Sequence, residues 1–520
     1  MNLNQYLLAA VNDAPNKSFL IKENITYADF LKRARARAAT LRAMGVGRGD
    51  VVGILARNIP EFIVSLWGIW FVGGTVFLLD NKLMPNDYEN VTRLTDCKLV
   101  LAEQHFFFDA KHFKFADICV PDTDPGDGVA PADVRDDEVA TLQLTSGSTG
   151  TPKFVPLTHA NLTLNMDGMA DLSDFVSVGD DFLLFLPLYH IFGLGFITLH
   201  AVYYRGGLVL ETSNNPREIV KNFQLYHPRV VPAVPRILEI IRNMIVSQYK
   251  EHGTWGLARR ALKHQKLLRF LGLGQVVKQL QWPVQEMFGR TQATLIGGGA
   301  AVKPEVIKFF EWFGFDVLQA YGLTEASGPD TVSMPHPKRV IGSVGKPLGP
   351  MEFRITNKDK DGVGVLWLRG PSVFGGYLNN PDATAEIMDG EWLNTGDLAD
   401  VDKNGEIHIR GRAKNVIVLD SGKNVYPDEL EAEYIKIDGV KNVLVIEAEG
   451  KVYGLFQTEE GMTLDDLSAA VAAMNKNITS YKQVLHFAMT TEDFPTTSSG
   501  KNRHFEAKKL FESGKYPNRK

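Results

Sequence analysis

The sequence predicts an α/β protein: a large N-terminal domain of several subdomains built on mostly parallel sheets, followed by a small α+β C-terminal domain. Three observations lead there. Helix–glycine–strand units recur through the first hundred residues, which is the alternation that layers helices on a parallel sheet. At 520 residues the chain exceeds what one hydrophobic core organises. Beyond residue 412, the remainder carries strands and helices of its own and is long enough for a separate core.

Taken in order, Thr26 reads as the N-cap of a helix from Tyr27 to about Met44. Gly45, Gly47 and Gly49 end it, and Val51 to Leu55 forms a short buried strand. The uncharged run from Phe62 to Leu79 reaches the lower limit for a membrane span. Gly68, Gly73 and Gly74 interrupt it and Asp80 closes it. That punctuation predicts a buried helix from Glu61 to Val72, a Gly-Gly turn and a buried strand from Thr75 to Leu79. A further strand is expected from Cys97 to Ala102, then a polar surface connection from Pro121 to Asp137. The C-terminal part is expected to hold strands at 415–420, 442–447 and 452–458 and helices at 428–437 and 464–477.

Charge and cysteine content exclude several classes. A net charge of −5 argues against a generic nucleic-acid binder, which would be strongly basic. Cys97 and Cys119 alone form neither a disulfide framework nor a four-ligand zinc cluster. From Met1 to Phe19 no basic flank precedes an apolar core, so no secretory signal is visible and a cytoplasmic location is expected.

Thr145-Ser146-Gly147-Ser148-Thr149-Gly150-Thr151-Pro152-Lys153 carries the most chemistry. Small residues let the backbone aim several N–H groups into one concavity, hydroxyls add donors, and Lys153 adds a mobile positive charge. The strand expected from Val139 to Leu144 would deliver this loop to the end of a sheet, where α/β proteins bind ligands. It is not a Walker loop, whose lysine follows a glycine directly. Read alone, the stretch suits a phosphate cradle or a flexible surface turn. Its continuation, Leu157-Thr158-His159-Ala160-Asn161-Leu162, gives a pairing that resembles the adenylate-forming superfamily of acyl-CoA synthetases, adenylation domains and luciferases. Phe154 departs from the family's usual glycine and leaves the local backbone open.

Every later motif of that family follows in order, from about Thr26 to Lys501. His190, in Pro187-Leu188-Tyr189-His190-Ile191-Phe192-Gly193, reads on its own as a core histidine among aromatics. The resemblance places it at the mouth of an acyl pocket. Gly298, Gly299 and Ala300 follow an apolar strand and suit close approach of a flat ligand. In Tyr321-Gly322-Leu323-Thr324-Glu325 the resemblance implies adenine stacking by Tyr321, phosphate contact by Thr324 and a magnesium ligand in Glu325. One carboxylate suits magnesium, which keeps most of its waters. Asp397 and Arg412 match the family's ribose-gripping Thr-Gly-Asp and Gly-Arg elements, chemistry open to a carboxylate acceptor and a guanidinium fork. By the same resemblance Lys414 is a hinge joining residues 1–412 to a mobile domain of residues 413–520. The resemblance also implies that the loop around Gly422 lines a thiol tunnel and that Lys501 belongs to a mobile catalytic loop.

The resemblance implies ATP, magnesium and coenzyme A, with a medium- or long-chain fatty acid activated as its adenylate and then passed to the thiol. The alternatives are an enzyme loading an acyl or aryl acid onto a carrier protein's phosphopantetheine, or a nucleotide-binding protein with a dead site. From Lys250 to Lys278, Arg259, Arg260, Lys263, Lys266 and Arg269 are mixed with Leu257, Leu262, Leu267, Leu268 and Leu271. This suits either a solvated helix face or a basic amphipathic helix on a membrane surface.

Overall fold

The computed structural model describes all residues except 125–126, 128, 146–151, 169–171, 173–174, 214, 290–292, 335–339, 420–423, 449–450, 497–501, 517 and 520. The chain folds as two compact units, residues 1–352 with 368–393, and residues 353–367 with 394–520. Lys414, expected as the hinge, lies inside the second unit, in the 3-10 turn Ala413–Asn415.

The first unit holds two large sheets. One has six strands in the order Lys114–Asp117, Leu99–Ala102, Val51–Leu55, Thr75–Leu78, Val139–Thr145 and Lys153–Thr158. All pair in parallel except the last, an antiparallel edge. Side chains alternate between two cores, as the period of two requires. Val52, Ile54, Val76 and Leu78 enter one, and Leu55, Phe77 and Leu79 the other. Burial on both faces explains why these strands read as unbroken apolar runs.

The second sheet has nine strands. Its central members Ser18–Leu20, Leu208–Leu210, Phe182–Leu184, Val230–Ala233, Thr294–Gly297 and Asp316–Leu323 pair in parallel. Gly328–Val332 and Lys346–Pro347 extend one edge in antiparallel sense, and Ile25–Thr26 the other.

The apolar run folds as its punctuation predicts. Pro60–Phe71 is a buried helix, Gly73 turns with φ +78°, and Thr75–Leu78 is a buried strand. Trp67 and Trp70 are both buried, and the Trp70 indole N–H donates to the Ala140 carbonyl at 2.9 Å. Among the described residues no helix is long and apolar enough to cross a membrane. Thr26 caps the helix Tyr27–Ala43, accepting the Asp29 N–H at 3.1 Å.

In the second unit, Val440–Ala448, Lys451–Thr458, His486–Thr490 and Asn518–Arg519 form a sheet beside the helices Pro427–Tyr434, Leu464–Asn475 and His504–Glu512. The strand expected at 415–420 is shorter, Ile417–Val418, because the 3-10 turn takes its first residues. Ile407–Arg412 pairs antiparallel with Trp392–Val401, an arrangement absent from the sequence reading.

Two buried histidines make the first unit acid-sensitive. Burial lowers His159 and His200 each to about 4. The His200 Nδ1–H donates to the Gly195 carbonyl at 2.9 Å, and the His159 Nδ1 accepts the Leu3 N–H at 3.5 Å. A folded value below the unfolded one means stability is present above about pH 6.5 and is lost as pH falls toward 4. From pH 7 to 5 each ring is expected to cost about 2 kcal/mol. His200→Gln is therefore expected to flatten the pH dependence of urea unfolding by that amount, whatever its absolute cost. An unchanged slope would contradict the assignment.

Candidate active site

In the first unit, the chemistry-bearing residues sit where parallel strands end. Thr145 closes Val139–Thr145, pairs with Lys153 across the hairpin, and its hydroxyl donates to the Lys153 carbonyl at 3.4 Å. Ser146, Gly147, Ser148, Thr149 and Gly150 lie outside the described residues. The backbone question at Phe154 has a plain answer. It is an ordinary strand residue opposite Leu144, with its ring buried 5.9 Å from that of Phe77.

His190 follows the strand Phe182–Leu184 and is half-buried, with its ring 4.6 Å from that of Tyr189. Directly after it Phe192–Leu199 is π-helical, a wide turn that recurs at functional sites. Phe192 covers Gly298 so closely that a Cβ on Gly298 would lie 2.8 Å from its ring. Gly298 is buried, whereas Gly299 (φ +79°) and Ala300 are exposed.

Tyr321 is half-buried in Asp316–Leu323, and the ladder shifts register just after it. There Gly322 passes so near Gly328 that a Cβ would sit 1.7 Å from its carbonyl oxygen. The turn places Thr324 and Glu325 in a 3-10 segment, half-buried. Behind it the fully buried Asp330 accepts the Leu323 N–H, and burial raises its carboxyl well above the usual range.

Tyr377 joins these parts, and sequence reasoning missed it. Its hydroxyl donates to Glu325 Oε1 at 2.7 Å, while the Lys153 ammonium lies over its ring at 4.9 Å from the centroid. Burial and then Glu325 raise the phenol's pKa, keeping it a donor. The Phe374 N–H donates to the Glu325 carbonyl at 2.8 Å, and the Leu378 N–H to the Phe154 carbonyl at 3.0 Å. One tyrosine thus holds a carboxylate and an ammonium from different sheets in one place. The Gly375-Gly376-Tyr377 wording was the available signal. Glu325 Oε2 has no protein partner among the described residues, so a hard, largely hydrated cation fits there.

In the second unit, Asp397 and Arg412 are cross-strand partners. The Arg412 Nε lies 3.1 Å from Asp397 Oδ1, and its Nη1 donates to the Thr395 carbonyl at 3.1 Å. Thr395 Oγ1 accepts the Asp397 N–H at 3.0 Å and donates to the Leu366 carbonyl at 2.8 Å. The sequence candidates are thus one preorganised pair. Next to it Gly411 (φ +134°) faces Asp428, whose carboxyl accepts the Arg412 N–H. Burial and then Glu431 raise Asp428 to about 6. Gly422 and Lys501 lie outside the described residues. The ends of the Lys501 loop are tied, with Thr496 bridging Asn502 and the Arg503 N–H donating to the Pro495 carbonyl at 2.9 Å.

A profile of the family described as AMP-binding enzyme matches residues 7–378. A feruloyl-CoA synthase of an Amycolatopsis species is 27% identical over 502 residues, 94% of each chain. A 2-succinylbenzoate–CoA ligase of Oceanobacillus iheyensis is 25% identical over 438 residues, 83% of each. The solved O-succinylbenzoate coenzyme A synthetase of Bacillus subtilis, in complex with ATP and magnesium ion, has a TM-score of 0.79 at 21% identity. That likeness, covering 97% of this chain and 99% of the other, establishes a shared fold.

The contact at Gly411 yields a structural prediction. A Cβ there would lie 2.3 Å from Asp428 Oδ2 in a backbone conformation that side chains avoid. Gly411→Ala is expected to cost about 2–4 kcal/mol in urea unfolding. Gly461→Ala, at φ +95° with nothing within 4 Å, is expected to cost about 1–2 kcal/mol. Equal costs would contradict the close approach.

Proposed function

The chain belongs to the AMP-binding enzyme family, and on that premise we propose that it is an AMP-forming acid–thiol ligase using ATP and coenzyme A. The observation that carries this reading is Tyr377 holding the Glu325 carboxylate and the Lys153 ammonium together at the strand ends.

A substrate carboxylate attacks the α-phosphorus of ATP, forming a C–O–P linkage and breaking the bond to pyrophosphate. Two anions must meet, so charge is the principal obstacle. Lys153, the Ser146–Gly150 loop, Thr324 and Lys501 supply donors and positive charge to the phosphates as charge builds in the transition state. Glu325 would hold magnesium, which when bound would neutralise charge on the phosphate oxygens as a Lewis acid. Tyr377 fixes the carboxylate rotamer for that task. Tyr321 offers a ring face to adenine, Gly298, Gly299 and Ala300 allow its close approach, and Asp397 with Arg412 holds the ribose hydroxyls. His190 stands beside the carboxylate being activated. No protein nucleophile is required, because the substrate provides it. In the second step the thiol sulfur attacks the acyl carbon, AMP leaves, and the thiol proton goes to solvent. We assign Lys414 as the hinge between steps, residues 413–520 as the moving domain, and the Gly422 loop to the thiol path.

The finer reading of the acid is a medium- or long-chain fatty acid. What supports it is the Ser421-Gly422-Lys423-Asn424-Val425-Tyr426-Pro427 wording, which resembles that of long-chain synthetases. An aryl acid is the second reading, favoured by the names of the relatives.

Acid-dependent exchange of pyrophosphate into ATP tests the first step, with aliphatic acids of increasing length run against aryl acids. Exchange with some acid, followed by thioester formation on coenzyme A, is expected; no exchange with any acid would leave the dead-site reading. Thioester formation only on a holo-carrier protein would replace coenzyme A as acceptor. Tyr377→Phe is expected to raise the half-saturating magnesium concentration several-fold and to lower turnover roughly tenfold. An unchanged magnesium dependence would remove Tyr377 from its positioning role.

A further inference from the structure

The stretch from Lys250 to Lys278, open between a solvated helix face and a basic amphipathic helix, falls largely in three short helices, Trp255–Lys263, Gln265–Phe270 and Gly274–Met287. Their inner faces are ordinary core: Ala258, Leu262, Val277 and Val284 are buried. The arrangement is pinned by Gln281, which donates to Gln265 Oε1 at 3.1 Å and to the Trp312 carbonyl and accepts from Arg269 at 3.3 Å.

The outer face is unusual in two independent respects. First, seven of the nineteen exposed large apolar side chains among the described residues fall between residues 257 and 282. Phe270 is 85% exposed and Leu257 74%. Leu267, Phe270 and Leu271 stand at helical spacing on one face, and Leu273 and Val276 follow across the Gly272 turn (φ +79°). Five apolar side chains therefore crowd the tip of one helical hairpin, far from the scattered pattern that needs no explanation.

Second, no acidic residue occurs between Glu251 and Glu286, although the chain has 61 acids and a net charge of −5. The same interval carries Arg259, Arg260, Lys263, Lys266, Arg269 and Lys278. Exposed apolar tips ringed by cations of one sign match an anionic interface with an apolar interior. A second copy of this chain is a poor match, since a two-fold contact would set these cations against themselves. An acidic protein would satisfy the charge, but would have to provide a pocket for each exposed apolar tip. A bilayer accepts them without directional complementarity.

We propose that the hairpin formed by Gln265–Phe270 and Gly274–Met287 seats the enzyme on an anionic lipid surface, with Leu267, Phe270 and Leu271 entering the acyl boundary. The inference does not depend on which acid is activated.

Co-sedimentation of the full chain tests it, using vesicles of phosphatidylcholine alone or of equal parts phosphatidylcholine and phosphatidylglycerol. Binding is expected to be roughly tenfold or more tighter to the anionic vesicles, and to weaken as salt is raised. The double variant Phe270→Glu with Leu271→Glu is expected to lose that binding, while keeping the parent's unfolding midpoint and its activity on a water-soluble acid. Equal sedimentation with both vesicle types, or a variant that binds like the parent, would overturn the proposal. So would a parent that binds neither vesicle but is dimeric where the variant is monomeric, which would make the tip a contact between copies.

Discussion

A parallel strand buried on both faces leaves no room along its length for hydrated polar groups, so polar chemistry is displaced to its ends. In the first unit the two sheets obey this constraint closely. Val76, Phe77 and Leu78 are each buried, on alternating sides. Thr145, Gly298, Thr324 and Glu325 all lie at or just beyond a strand's C-terminal end, and His190 lies in the connection following one. The site is therefore a consequence of layering, because the C-terminal ends of parallel strands are where backbone donors and polar side chains can converge.

The layering was legible because its signals are local. The glycines at 73 and 74 told a buried helix and strand from a membrane span, and Thr26 announced its helix. The motifs from Thr145 to Arg412 were legible for another reason: each packs its chemistry into a few consecutive residues. Tyr377 escaped because its role depends on partners 52 and 224 positions away, Glu325 and Lys153, and no spacing rule links them. The strand Gly364–Arg369, which shares a sheet with Trp392–Val401, escaped because its burial alternates while its residues Val365, Leu366, Trp367 and Leu368 are all apolar. The breaks at His264 and Gly272 were invisible to a reading that followed only charge and leucine.

The second unit shows how a candidate pair becomes a positioned pair. Asp397 is nearly inaccessible, and a buried carboxylate is tolerated only where partners compensate it. Arg412 and the Thr395 hydroxyl provide that compensation, and Thr395 is itself anchored on Leu366. Gly411 lets Asp428 approach the same strand closely enough to accept the Arg412 N–H. Such a chain of contacts leaves Asp397 few alternative orientations, as the proposed hold on two vicinal hydroxyls would require.

In the proposed reaction a substrate carboxylate oxygen becomes bonded to the α-phosphorus of ATP. An acid labelled with ¹⁸O in its carboxylate, turned over with ATP and coenzyme A, reports on that bond directly. Mass spectrometry of the products is predicted to find one labelled oxygen in AMP and none in pyrophosphate. Label confined to inorganic phosphate, or AMP without label, would contradict it.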